Sequence, residues 1–461
     1  PTSATLTSTD PYYWTNHNNI TVTAWWPYTA GETTPPAVKV KANQSAQKDF
    51  EGSDLIVADG QTVTYGSPTL RFTHRTARVT IVLTDYTEGL ASVQMTGLST
   101  EGDNPDIIVP YDKGSNTYTA IVAPQSVAAG TTFITCTFTN GKTFVYKMKN
   151  ATDWQAGGEY TYTVSLAAAK DLGYTIESNG SYTVYNADGL LNIAELVNGG
   201  KTDINITLDK NIDLTGKDWT PIGTNYDNSY KGTFDGGGHT ITGLTVTTYD
   251  KYAGLFGWLN SAGTVKNVVM EGVQITNNHS SGFAGGVVGN SWGTIENCSV
   301  SGSVNGEVYV GGVVGKQTSG SMTGCSSSAT VKGTVNVGGV AGESWGSMTA
   351  CYATGNVTLE IYPGKDISGG GVVGFKGGNS VLACYATGNV NSKGSSTGNV
   401  HIGGLFGYKY ATAIACYWKN NKEQGIGYNK EGIVTEATKV DGTDVTWQKA
   451  VDAMNTALQN A

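Results

Sequence analysis

Apolar and polar positions follow different periods in different parts of the chain. Up to about residue 166, apolar side chains tend to fall on every second position, the spacing that puts one face of a strand against a core. Ile20–Trp26 shows this alternation, and residues 70–83 (LRFTHRTARVTIVL) sustain it longest, with Ala77, Val79, Ile81 and Leu83 on one face. Further strands are predicted at 91–98, 118–123, 132–138, 143–148 and 160–166, and Asn140–Gly141 is a two-residue hairpin signal. Short strands at such intervals predict a β-sandwich over residues 1–166. Residues 167–181 lose the alternation and read as a linker. The period then changes. Leu190, Leu191, Ile193, Ala194, Leu196 and Val197 form a helical stripe, with Asp188 as N-cap and Gly199–Gly200 as terminator. A lone amphipathic helix here would plug the open end of a following solenoid.

A repeat follows. AGLFG at Ala253, GGVVG at Gly285, GGVVG at Gly311, GGVAG at Gly338, GGVVG at Gly370 and GGLFG at Gly403 recur at intervals of roughly 30 residues. A block this short holds three brief strands and their turns, whereas a propeller blade needs about 40 residues and four strands. The expected architecture is therefore a parallel β-helix over 182–420, with Leu255, Val287, Val313, Val340, Val372 and Leu405 pointing inward. The paired glycines are expected to allow close coil approach and positive φ. Beyond Asn420 the repeat fades, and 421–461, ending in a helical pattern with Val451, Met454 and Leu458 on one side, reads as a cap or the start of another domain.

Composition sharpens this picture. Among 461 residues there are 63 glycines and only 14% charged residues, unusual for a compact globular enzyme. A net charge of -9 argues against nucleic acid or an anionic membrane as partner, and no apolar run is long enough to span a bilayer. Cys298, Cys325, Cys351, Cys384 and Cys416 each follow the second glycine of their block at one offset, constant to within a single position, and Val268 holds the matching place in the first block. One cysteine per coil at one position predicts a stacked column of buried free thiols, not a disulfide framework or a zinc site.

Candidate chemistry is sparse. The chain's three arginines, Arg71, Arg75 and Arg78, flank His74 but alternate between strand faces and do not converge. A glycosidase needs two carboxylates about 5 to 10 Å apart. Glu296 and Glu343 stand at unrelated places, while Glu307 and Glu360 share one offset from the second glycine of their blocks, with Gly333 at that place between them. Asp209, Asp213, Asp218 and Asp235 crowd the opening coils; Asp209 and Asp213 lie in turn-like phrases, and Asp235 opens the turn of FDGGGH. No P-loop, dinucleotide fingerprint or zinc-protease motif occurs, so no catalytic residue, metal or cofactor is assigned. The better prospect is aromatic. Tyr352, Tyr385 and Tyr417 each follow a stacked cysteine and should form an outward ladder. Trp258, Trp292, Trp345, Phe375 and Tyr408 recur shortly after the second glycine, near a turn. Flat rings in register can bind sugar rings or a protein, or stack on one another and stiffen the rod.

Two resemblances bear on these readings. SDLIVA at Ser53, LRFTHRTARVTIVL, IVAPQ at Ile121, and GKTFVYKM followed by WQAGGEYTYTVSL occur in an order that resembles fimbrillin-like domains of anaerobic Gram-negative surface pili. That resemblance implies a transthyretin-like sandwich, export as a lipoprotein to the cell surface or outer membrane, and assembly with other fimbrial subunits by strand donation. GLFG at Gly254 and Gly404 resembles GLUG-type repeats, and FDGGGHTI at Phe234 resembles an early coil of parallel β-helices; together they imply a right-handed β-helix. The expected whole is a non-enzymatic, adhesin-like or fimbrial tip or accessory protein whose rod presents a glycan- or protein-binding surface. A glycan-degrading enzyme with its acids in the opening coils, and a structural spacer, are the alternatives.

Overall fold

The computed structural model describes residues 14–28, 31–87, 89–168, 170–430 and 435–461. The chain separates into two compact units, Pro1–Leu172 and Gly173–Ala461. Residues 1–13 of the expected sandwich lie outside the described residues.

The first unit is built of small sheets. One four-stranded sheet runs in the order Glu159–Ser165, Ala77–Thr84, Thr117–Val122, Tyr111–Gly114, and a second in the order Lys170–Asp171, Thr143–Lys147, Thr132–Phe138, Leu90–Met95. Between them sits an apolar core that includes Val79, Ile81, Leu83, Val93, Met95, Phe133, Trp154 and Val164. The alternation at Ala77–Thr84 reads directly as burial, since Ala77, Val79, Ile81 and Leu83 are at most 1% exposed. The long run at 70–83 is not one strand. Thr73–His74 pairs with Ile56–Val63, the central strand of a three-stranded sheet that also contains Ile20–Trp26, and the chain then crosses to the other sheet. Thr76 anchors that crossing: its hydroxyl donates to Asp54 at 2.6 Å, and His74 Nδ1 lies 2.8 Å from the same carboxylate.

The expected linker is structured at both ends. Lys170–Asp171 adds to the edge of the sandwich, and Tyr174–Ile176 pairs antiparallel with Tyr182–Val184 to open the second unit. Strands this short cannot show a period, which is why the sequence pattern missed them. Helix α1 is Gln47–Glu51 and α2 is Ala187–Asn198. The N-cap of α2 is Asn186, not Asp188: its side-chain oxygen accepts from Gly189 N at 2.9 Å. Leu190, Ile193, Ala194 and Val197 of α2 are buried.

From Tyr182 onward the described strands of this unit pair in parallel, coil on coil, which makes a parallel β-helix. Three sheets form its faces. Sheet A has six strands, among them Phe283–Gly285, Tyr309–Gly311 and Asn336–Gly338. Among the described residues sheet B has seven, including Phe256–Leu259, Val288–Ser291 and Ile426–Asn429, and sheet C is the long one of 22. Leu255, Val287, Val313, Val340, Val372 and Leu405 are all 0% exposed, as their places in the repeat predict.

The glycine pair joins sheet A to sheet B. A Cβ on Gly285, Gly311, Gly338 or Gly370 would sit 2.1 or 2.2 Å from the carbonyl oxygen three positions on. A Cβ on Gly286, Gly312, Gly339 or Gly371 would lie 2.2 to 2.5 Å from the next coil's backbone oxygen. Close approach is therefore the reason for the pair, and positive φ is not, since none of these residues adopts it. A left-handed residue that recurs in every coil lies elsewhere, just before the stacked cysteine: Asn297, Gly324, Ala350, Ala383 and Ala415, with Asn267 in the first block.

The parallel ladder also outlasts the visible repeat. Ile426–Asn429 pairs with Phe406–Lys409, and Thr435–Lys439 with Ala413–Trp418, adding a coil beyond residue 420. Backbone pairing does not require the glycine motif once a preceding coil offers an edge. Helix α3, Trp447–Gln459, then packs Met454 against Ala383, Ala415, Tyr385 and Tyr417 on sheet C.

Candidate binding surface

In-register stacking turns each repeat position into a row along the solenoid. On sheet A, Tyr252, Phe283, Tyr309, Asn336, Ser368 and His401 stand in one register. On sheet B, Trp258, Asn290, Lys316, Glu343, Phe375, Tyr408 and Tyr428 stand in another. The glycine corner brings the rows together. Tyr252 and Trp258 rings are 4.9 Å apart, Lys316 Nζ lies 4.8 Å over the Tyr309 ring, and His401 and Tyr408 rings are 5.1 Å apart.

Of the aromatics expected from the sequence, Trp258, Phe375 and Tyr408 belong to the sheet B row. Trp292 and Trp345 come two positions later, in the turn that follows the strand, yet each touches the row: Trp292 to Trp258 at 5.8 Å and Trp345 to Phe375 at 5.7 Å. The sheet A row was not anticipated, although Phe283 and Tyr309 stand at the same offset before their second glycine. Two aromatic clusters result, one of Tyr226, Tyr252, Trp258, Phe283, Trp292 and Tyr309, the other of Trp345, Phe375, His401, Tyr408, Tyr410 and Tyr428.

A polar knot separates the clusters. Glu343 accepts from Asn336 Nδ2 at 2.8 Å, from Trp345 Nε1 at 2.7 Å, and pairs with Lys316 Nζ at 2.8 Å. Glu343 is 7% exposed, whereas Trp345 leaves 42% of its surface open. Burial lowers the pKa of His401 at the far cluster. The band can therefore offer ring faces flanked by fixed donors and acceptors.

The tyrosine ladder lies on sheet C. Tyr352 and Tyr385 stack with centroids 4.7 Å apart and planes 2° from parallel, and Tyr417 continues the register. Helix α3 covers its end: the Trp447 ring meets Tyr385 edge-on at 5.5 Å. The apolar side of α3 needs a partner, and the ladder supplies one. Cys298, Cys325, Cys351, Cys384 and Cys416 are each 0% exposed and unbridged. Each of these thiols donates to the carbonyl two positions earlier, at 3.2 to 3.4 Å.

Two of the four acids of the opening coils, Asp213 and Asp235, serve turns. Asp213 accepts from Thr215 N and Asp235 from Gly237 N, both at 2.9 Å, and Asp235 also bonds Asn267 and pairs with Lys266. Among the described residues no group of His, Cys, Asp and Glu is placed to hold a metal ion. No helix among them is long and apolar enough to cross a membrane.

The fimbrillin-like family matches residues 1–186, and the GLUG motif matches 282–305 and 306–332. The N-terminal region is fimbrillin-like. The solenoid that follows it carries GLUG motifs. Halomucin of Haloquadratum walsbyi is 32% identical over 212 residues, which is 42% of this chain and 2% of that protein's length, so the chain spans a small part of this relative. Among solved structures, a Bacteroides ovatus protein provisionally named an immunoglobulin A1 protease aligns at 21% identity and a TM-score of 0.45, over 57% of this chain and 78% of its own. A fimbrial protein from Bacteroides ovatus aligns at 16% identity and a TM-score of 0.21, over 35% of this chain and 39% of its own.

Proposed function

We propose that this protein is a non-enzymatic cell-surface adhesin or fimbrial accessory subunit, attached through its fimbrillin-like region, whose GLUG solenoid binds a glycan along the glycine corner. One observation carries the reading. Rings from successive coils converge on both sides of that corner, and the clusters flank a polar knot from which Trp345 projects with 42% of its surface exposed. Aromatic faces beside fixed hydrogen-bonding groups suit sugar rings, which have apolar faces and polar edges. Attachment to other fimbrial subunits by strand donation belongs to the same proposal and is supported by the match over residues 1–186. The turn roles of Asp213 and Asp235 favour binding over catalysis.

The test is glycan-array binding by the full chain and by Trp345→Ala and Trp292→Ala. Binding that falls about tenfold or more in either variant supports the proposal. Absence of binding to any glycan, or binding unchanged in both variants, overturns it and leaves the band as rings that stiffen a spacer.

A further inference from the structure

The repeat lengths hold information that the aromatic band does not use. The steps from Gly286 to Gly312 and from Gly312 to Gly339 are shorter than their neighbours, from Gly254 to Gly286 and from Gly339 to Gly371. Against the Gly339–Gly371 coil the shortening falls at the corner between sheet C and sheet A; against the Gly254–Gly286 coil it is shared between that corner, the turn from sheet B to sheet C and a bulge in sheet C. Residues 278–282 and 362–366 span that corner in the longer coils. In the two coils between them it is spanned by 306–308 and 334–335 alone. Two short corners between two long ones leave a notch in the solenoid's side, a cavity of about 740 Å³.

Its lining is almost wholly polar: Asn278, Asn305, Glu307, Lys332, Glu360 and Tyr362, with Thr334 at the floor only 4% exposed. Lys332 Nζ lies 2.6 Å from Glu360 Oε1, and this bond holds the Glu360 carboxyl below its usual range. The Tyr362 hydroxyl donates to the same carboxylate at 3.4 Å, and 53% of Tyr362 is exposed at the rim. The backbone carbonyl of Glu307 accepts from Thr334 N at 2.8 Å and Val335 N at 3.1 Å, which fixes the residue. Its carboxylate has no ion-pair partner among the described residues. The notch crosses four successive coils, so it is about 14 Å long.

These features narrow the occupant. An apolar peptide or lipid would leave the amides and carboxylates without partners. An anionic ligand would meet Glu307 and Glu360 with a single lysine to offset them. A divalent cation would have to displace Lys332 from Glu360. A chain of neutral sugars meets none of these objections: hydroxyls can donate to the carboxylates and exchange bonds with the amides, and a ring face can lie on Tyr362. We infer that the notch left by the two shortened coils binds a short stretch of neutral oligosaccharide.

The experiment is isothermal titration of the full chain with cellotriose, maltotriose, tri-N-acetylchitotriose and, as the anionic comparison, trigalacturonate. At least one neutral trisaccharide should bind and trigalacturonate should not. Glu307→Gln and Tyr362→Ala should each weaken binding about tenfold or more without lowering the melting temperature, whereas Tyr28→Ala, at an exposed tyrosine of the first unit, should not change it. The inference is overturned if no neutral trisaccharide binds, if binding survives both variants, or if trigalacturonate binds as well. Loss on Trp345→Ala with neither notch variant affected assigns the sugar to the aromatic band and also overturns it.

Discussion

Asn336 reaches across the glycine corner to Glu343, its Nδ2 donating to Oε2 at 2.8 Å, so that one hydrogen bond ties sheet A to sheet B. Trp345 and Lys316 use the other carboxylate oxygen. Glu343→Ala leaves the buried Asn336 amide without its acceptor and removes the partner of the more exposed Trp345 and Lys316. The expected loss is about 2–4 kcal/mol of unfolding free energy, measured by urea denaturation. A change below about 0.5 kcal/mol would show that the knot does not support the corner.

The corner itself should be intolerant. A Cβ at Gly338 would lie 2.1 Å from Ala341 O, and backbone on both sides leaves nothing soft to move. Gly338→Ala is expected to cost more than about 3 kcal/mol or to abolish folding. Gly66→Ala, which meets nothing within 4 Å, should stay within about 0.5 kcal/mol of the parent. Comparison of thermal melts separates the two.

The thiols should be inert until the chain unfolds. All six cysteines are buried; burial pushes Cys136 up to about 12 and Cys351 well above the usual thiol range. Iodoacetamide at pH 8 should label none of them in the native protein and all six after denaturation, as read by mass spectrometry. Labelling of any column cysteine in the native state would contradict its burial.

Lys376 should make stability depend on pH. Its side chain is 0% exposed, and its Nζ donates to the carbonyls of Gly346, Gly377 and Asn379 at 2.6 to 2.8 Å and to Ser344 O at 3.3 Å. Burial pushes its pKa down to about 7, below the unfolded value of about 10.4. The unfolded chain therefore binds more protons between those values, so this contribution to stability is complete above the unfolded pKa and is lost as pH falls toward 7. Denaturation midpoints should rise from pH 7 to pH 10, and Lys376→Met should flatten that rise. An unchanged slope in the variant would remove Lys376 as its source.

Much of the solenoid was legible in sequence, for a physical reason. Coil stacking places residues of equal offset in register, so Cys298, Cys325 and Cys351, or Val287, Val313 and Val340, mark a column in the sequence itself. Alternation likewise marked the buried face of Ala77–Thr84. Where a contact depends on backbone direction, the pattern is silent. Trp292 and Trp258 lie at different offsets and still meet, and Tyr252 faces Trp258 only because the glycine corner turns sheet A toward sheet B. Tyr385 looked like surface until α3 was seen to need it. The chain by itself determined the repeat, its core and its glycines, because these follow from periodicity. The tertiary structure decided which rows face each other, which ladder is covered, and that two shortened repeats open a notch, because those depend on how coils of unequal length stack in space.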